Sequence, residues 1–214
     1  MTSPQETRIL HFTRVEHLPG IAKFGLLSDK EASRRGLVAV EIGNRQIKAR
    51  RAIRQVPVQP GGVVSDYVPF YFAPRSPMMY AIHARNVPTY QQGCGTLVYL
   101  VTTVQRLTAM GLTPVLTDRN AALQVTEFWS MAKGEPEEGF IDWPLMRERY
   151  WASTQEFPDR RERRMAECLV RDRLPFAAFS EVVTKTDRVR QQAVSLLGAA
   201  RVDVPVSVIP SWYF

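Results

Sequence analysis

Ile9 to Thr13 (ILHFT) sets β-branched and aromatic residues around one histidine, a composition that predicts a strand. From Glu16 to Leu27, apolar residues fall at Leu18, Ile21 and Ala22 before Phe24-Gly25-Leu26-Leu27, which predicts a short helix closing at a glycine. Gly95 to Val104 (GTLVYLVTTV) is the clearest buried strand, and a helix-like stretch and a loop follow it. Phe176 to Val183 and Val202 to Pro210 predict further short strands, joined by a helix from Asp187 to Leu197. Between Thr113 and Arg160 the pattern is mixed, with Trp129, Trp143, Trp151, an acidic GEPEEG loop, Arg147 and Arg149, as expected of an insertion or a substrate-facing lid. Strands and helices are interspersed, yet no βαβ run carries a glycine-rich phosphate loop. The expected class is therefore α+β rather than a doubly wound nucleotide-binding sheet.

One stretch resists a single period. In Arg160 to Val170 (RRERRMAECLV) the charges break at Glu167 and an apolar run follows. As a strand from Glu167, the segment would put this carboxylate on the same face as Leu169, where an ionised group is costly without a partner. As a helix, it would place Arg160, Arg164, Glu167 and Arg171 on one face, and Glu167 would be an ordinary solvated ion-pair member. Periodicity alone favours the helix.

Composition narrows the class. The chain has 214 residues, 45% of them hydrophobic, which suits one domain over residues 1–214 with a sizeable core. Lys and Arg number 28 against 21 Asp and Glu, a net charge of +7 carried largely by clustered arginines. That pattern favours a polyanionic partner, nucleic acid ahead of an anionic membrane. Cys94 and Cys168 have no nearby Cys or His at ligand spacing, which argues against a disulfide framework and a zinc site. The first residues, MTSPQETRIL, have no basic flank before an apolar run, and no stretch approaches the ~20 apolar residues of a membrane span. A cytoplasmic protein is expected.

Candidate chemistry lies in three places. His11, at the strand-to-helix turn, is either a core histidine bonded to backbone or a ligand contact. Asn44 to Arg54 carries five positive charges and no acid; such a run is usually a solvated face. It is followed, however, by Tyr67, Phe70, Tyr71, Phe72 and Tyr80 around Arg75. Rings beside arginines suit an unpaired base, which needs a face to stack on and a cation for its phosphate. Phe70 and Phe72 read as core, whereas prolines around Arg75 to Tyr80 favour an irregular, functional loop.

Taken together, LHFTRVEHLPGI, IKARR, DYVPFYFAPRSPMMYAI and RRMAECLV resemble, in that order and over most of the chain, the DarT family of DNA ADP-ribosyltransferase toxins. DYVPFYFAPRSPM is the most specific block. The resemblance implies an ADP-ribosyltransferase fold: a split mixed β-sheet with NAD in a central cleft and helices around it. It implies transfer of ADP-ribose from NAD, as substrate, onto a base of single-stranded DNA, thymine in the best-known branch, with no metal. The usual partner is an antitoxin with a macrodomain that strips off the modification. It puts the catalytic glutamate at Glu167 and a catalytic, NAD-contacting arginine at Arg51, with Arg50 as the alternative register. NAD contacts fall at His11, Phe12, Thr13, Gly20 and Ser28. DNA contacts fall at Arg75, Ser76, Pro77, Met78, Met79 and Tyr80, with a substrate-recognition loop ahead of Glu167.

The chemistry can be built independently. Loss of nicotinamide leaves an oxocarbenium-like ribose, and a carboxylate bonded to a ribose hydroxyl stabilises charge present mainly in the transition state. Thymine N3 is a poor nucleophile while protonated, and arginine, with a pKa above ~12, is a poor base. Arg51 is thus expected to offset developing negative charge. Two other readings share parts of this pattern: a relative acting on RNA or protein, and a non-catalytic nucleic-acid-binding module in which Glu167 lies on the surface.

Overall fold

A computed structural model of the chain describes residues 3–37 and 42–214. In chain order its elements are β1 (Arg8–Arg14), α1 (Leu18–Phe24), β2 (Leu26–Leu27), α2 (Asp29–Arg34), α3 (Arg45–Ile53), β3 (Tyr67–Tyr71), α4 (Pro77–His83), β4 (Leu97–Thr103) and α5 (Val104–Ala109). There follow β5 (Val115–Thr117), β6 (Phe128–Ser130), α6 (Trp143–Arg147), α7 (Arg160–Arg163), β7 (Glu167–Arg171), β8 (Arg173–Leu174), β9 (Glu181–Thr184), α8 (Asp187–Ala199) and β10 (Val206–Val208). Eight strands form one mixed sheet in the order β10-β9-β4-β1-β3-β7-β5-β6, and β2 pairs with β8 apart from it.

The sheet is split. β1 pairs antiparallel with β4 along its whole length, from Arg8 opposite Thr103 to Arg14 opposite Leu97. Against β3 it pairs only at Leu10↔Tyr71. β3 instead pairs fully with β7, from Tyr67 opposite Arg171 to Tyr71 opposite Glu167. Beyond Leu10 the β1–β3 ladder does not continue among the described residues, and a side chain of β1, His11, bonds the Pro69 carbonyl of β3 instead.

The residue pattern explains the layers. β4 is buried on both faces, so its run LVYLV shows no alternation. One face packs Ile9, Val68, Phe70, Leu100 and Cys168 against α1 and α8, whose buried residues Val189, Ala193 and Leu197 recur at helical spacing. Burial of an aliphatic side chain such as Leu197, 2% exposed, contributes roughly 1.5–3 kcal/mol. The opposite face packs Leu10, Phe12, Tyr99, Met79 and Ile82 under α4. Gly25 ends α1 with φ +80°, and a Cβ there would stand 2.7 Å from the Leu174 carbonyl oxygen, so glycine is required.

Three expectations change. The helix favoured by periodicity from Arg160 to Arg171 is confined to α7, and Glu167 opens strand β7. Its apolar run is held between β3 and β5, a tertiary pairing that periodicity cannot see. The mixed region after Thr113 is not wholly insertion, because β5 and β6 complete that edge of the sheet. Arg75–Tyr80 is not an irregular loop: Ser76 caps α4 by accepting from Met79 N at 3.2 Å, and Pro77 occupies the first turn, where its missing N–H costs nothing. No helix among the described residues is long and apolar enough to cross a membrane.

Candidate active site

Glu167 is 1% exposed and is held on every side. Its backbone N–H donates to Thr117 Oγ1 at 3.0 Å, and its Oε1 accepts from Ala121 N at 3.2 Å. Arg51 Nη1 donates to Oε1 at 3.0 Å and to Oε2 at 2.8 Å. Arg51 is delivered by α3, whose cap Asn44 accepts from Gln46 N at 2.9 Å and Ile47 N at 3.3 Å. The partner that a buried carboxylate needs is therefore present, and the reading of Glu167 as a solvated surface residue is excluded. Arg50, one residue away, is exposed and lines a separate shallow pocket with Ile53 and Gln124.

Arg51 and Glu167 stand in a cleft of about 690 Å³, a size typical of small-molecule sites. His11, Phe12, Thr13 and Gly20 also line it. His11 Nδ1 lies 2.8 Å from the Pro69 carbonyl, to which it must donate, leaving Nε2 as an acceptor. Burial pushes the His11 pKa down to about 4, the bond to Pro69 opposing and the Arg51 charge assisting, so the ring is neutral at physiological pH. Thr13 Oγ1 is 2.9 Å from His17 Nδ1. No atom lies within 4 Å of where a Cβ on Gly20 would stand, so the cleft wall is open there. Arg51 Nη2 is buried with no acceptor among the described residues, an unmet donor of the kind an anionic or hydroxyl-rich substrate would satisfy. Those features fit NAD. Ser28 does not join them: it is 1% exposed, and its hydroxyl caps α2 by accepting from Glu31 N at 3.3 Å.

The six positions expected to touch DNA divide. Pro77 and Met78 line the cleft, whereas Tyr80 does not; it is 46% exposed and packed edge-on against Trp151 and Phe214. Ser76 and Met79 are interior. Arg75 has φ +56°, uncommon for a residue with a Cβ, and is tethered by Tyr99 Oη on its N–H and Trp151 Nε1 on its carbonyl. Its guanidinium donates to the Tyr213 carbonyl at 2.6 Å and lies 4.0 Å from the Phe214 ring centroid. The side chain is thus engaged within the protein. Ahead of Glu167, Arg164 ties the segment down by donating to the carbonyls of Met146 at 2.9 Å and Pro74 at 2.8 Å.

Sequence reasoning missed Thr117 and the Ala121 amide, which come from the region read as an insertion, and it placed Tyr71 among the aromatics without assigning it to the cleft. Tyr71 lines the cleft directly opposite Glu167. Strand alternation could have placed it there once the partner of β3 was known.

Comparison with known proteins agrees with this geometry. Residues 10–214 match the family model described as ssDNA thymidine ADP-ribosyltransferase, DarT. A DNA ADP-ribosyl transferase of Thermus sp. (strain 2.9) is 35% identical over 199 residues, 92% of this chain and 90% of that protein. One from Escherichia coli O127:H6 is 29% identical over 216 residues, 99% of this chain and 95% of that protein. The structure superposes on Thermus sp. 2.9 DarT in complex with ADP-ribosylated ssDNA with a TM-score of 0.89 at 34% identity, covering 100% of this chain and 99% of that one. It superposes on the same protein in complex with NAD+ with a TM-score of 0.84 at 33% identity, covering all of both chains. With its split sheet, its buried Arg51–Glu167 pair and these relatives, the chain belongs to the DarT family of single-stranded DNA thymidine ADP-ribosyltransferases.

Proposed function

We propose that this protein transfers ADP-ribose from NAD to thymine in single-stranded DNA, with Glu167 and Arg51 as its catalytic residues. The observation that carries the reading is the carboxylate of Glu167, buried in the cleft and oriented by Arg51 and the Ala121 amide. A fixed carboxylate can bond a ribose hydroxyl and stabilise the positive charge that grows as nicotinamide leaves, and fixed charge in a dry site costs no reorganisation during reaction. His11, Thr13 and Gly20 line the NAD side of the cleft, with neutral His11 offering Nε2 as an acceptor. Arg51 keeps Nη2 for NAD or for negative charge developing on the base.

Thymine is joined to its sugar through N1, so N3 is the ring nitrogen left to form a new glycosidic bond. In a duplex N3 is hidden in the base pair, and exposing it costs a few kcal/mol. An unpaired strand carries no such cost. Pro77 and Met78 supply apolar surface within the cleft, and the exposed Tyr80 on the same helix offers an aromatic face outside it on which a free base would pack. The partner is an antitoxin carrying a macrodomain. Support comes from the family resemblance, and Thermosipho africanus DarTG, 20% identical with a TM-score of 0.78, carries this fold in about half (51%) of its chain.

The test is mass spectrometry of a thymine-containing oligonucleotide incubated with protein and NAD, as a single strand and as a blunt duplex. The single strand should gain one ADP-ribose per modified thymine while nicotinamide is released. An unmodified strand in the presence of consumed NAD, or equal modification of the duplex, would overturn the proposal.

A further inference from the structure

Tyr71 stands where the sheet divides. It is the β3 residue that meets β1, at Leu10, and it faces Glu167 across the β3–β7 ladder. Directly opposed residues of antiparallel strands project to the same face with Cβ atoms roughly 4.5–5.5 Å apart, so the phenol and the carboxylate stand side by side in the cleft. The ring is fixed by stacking on Phe12, with centroids 6.3 Å apart and planes 18° apart. Its hydroxyl meets one acceptor among the described residues, Met78 Sδ at 3.7 Å. A thioether is a weak acceptor, and Met78 is itself a cleft residue that a bound base would contact. Burial, then the neighbouring Glu167 carboxylate, pushes the phenol pKa well above its ordinary value, with Arg51 opposing and Tyr99 adding slightly. The group therefore keeps its proton; it can donate a hydrogen bond but cannot serve as the base.

We infer that the Tyr71 hydroxyl binds the acceptor base, donating to the carbonyl oxygen beside N3 on which negative charge collects during transfer. The inference rests on the proposed reaction. In that reaction the bond from the ribose carbon to the nicotinamide nitrogen breaks, and its electron pair leaves with nicotinamide. N3 supplies the pair for the new bond and loses its proton to solvent, so the products are ADP-ribosylated thymine, nicotinamide and one proton. As the N3 proton departs, charge spreads to the flanking carbonyl oxygens, and a donor already aimed there stabilises the transition state more than the ground state.

Tyr71→Phe removes the hydroxyl and keeps the ring that stacks on Phe12. Transfer to single-stranded DNA should fall roughly 10²- to 10³-fold in kcat, while the NAD dissociation constant stays within about twofold, the protein still binding NAD as a folded molecule. The acid limb of the pH–rate profile should move to higher pH, because the variant depends more on prior loss of the N3 proton. An oligonucleotide with 5-bromouracil in place of thymine, whose N3 is more acidic, should recover much of the loss. A drop of constant size across pH with no recovery by 5-bromouracil, or an equal weakening of NAD binding, would overturn the assignment. The wild-type reaction in the same series reports on the proposed activity separately: if it fails, that reading fails, whatever the variant does.

Discussion

Arg51 donates to both carboxylate oxygens of Glu167 from a single nitrogen, Nη1, at 3.0 and 2.8 Å, while its Nη2 is buried and unmatched among the described residues. Half of the guanidinium thus holds the carboxylate and half is left for substrate. With the side chains 14% and 2% exposed, removal of one partner strands the other charge. Arg51→Ala should abolish transfer and lower stability by roughly 3–5 kcal/mol, part of which Arg51→Ala/Glu167→Gln restores by removing the stranded charge. Arg50→Ala, at an exposed position, should melt and transfer nearly as wild type. Thermal melts and transfer assays on the four proteins check this; similar losses for Arg50→Ala and Arg51→Ala would reject the distinction.

Glu167→Gln keeps the shape and loses the charge. NAD affinity should hold within a few-fold, while transfer falls by two to three decades, the scale of one lost electrostatic contact at about 3–4 kcal/mol. NAD titration beside mass spectrometry of the product separates the two effects. A variant that still transfers at a tenth of the wild-type rate removes Glu167 from the chemistry.

His11 makes stability depend on pH with a defined sign. Its folded pKa of about 4 lies below the ordinary 6.5, so above pH 6.5 the ring is neutral in both states and its contribution is complete. As pH falls from 6.5 towards 4 the unfolded chain takes up a proton that the folded one refuses, and stability drops by an amount of order 1–3 kcal/mol. His11→Asn preserves a donor for the Pro69 carbonyl without this titration. Chemical denaturation at pH 7.5 and 4.5 should show the wild type losing more than His11→Asn; equal losses would contradict the half-buried, neutral imidazole.

Tyr80 and Arg75, at opposite ends of the expected DNA-binding stretch, should behave differently. Tyr80→Ala should weaken single-stranded DNA binding by roughly 1–3 kcal/mol, the value of one stacked base, with little change in melting temperature. Arg75→Ala should lower the melting temperature, since it removes the bond to the Tyr213 carbonyl and the contact with the Phe214 ring. If Arg75 also binds a DNA phosphate, its loss flattens the log–log salt dependence by roughly 0.7; with the guanidinium engaged as observed, the slope should hold. Fluorescence anisotropy over a salt series decides between them.

Local pattern alone was enough for much of this protein. Ile9–Thr13, the buried β4 run and the helix from Asp187 announce themselves because their burial is continuous or strictly periodic, and Gly25 because no other residue tolerates its backbone. The compositionally odd block around Arg75 carried the family, and with it the expectation that Glu167 and Arg51 act together. What local pattern misread was Glu167 itself: four arginines before it mimic a helical face, and only the insertion of Cys168, Leu169 and Val170 between β3 and β5 makes the segment a strand. The same pairing, between residues 96 positions apart (167 less 71), sets Tyr71 beside the carboxylate, and the β5 edge brings Thr117 and the Ala121 amide to it. Arg75 shows the converse. Its charge and aromatic neighbours read as a free phosphate contact, but whether a guanidinium faces solvent or a carbonyl depends on where Tyr213 and Phe214 return, 138 and 139 residues later (213 and 214 less 75). Side-chain partners of that range are chosen by packing, and no period in the chain encodes them.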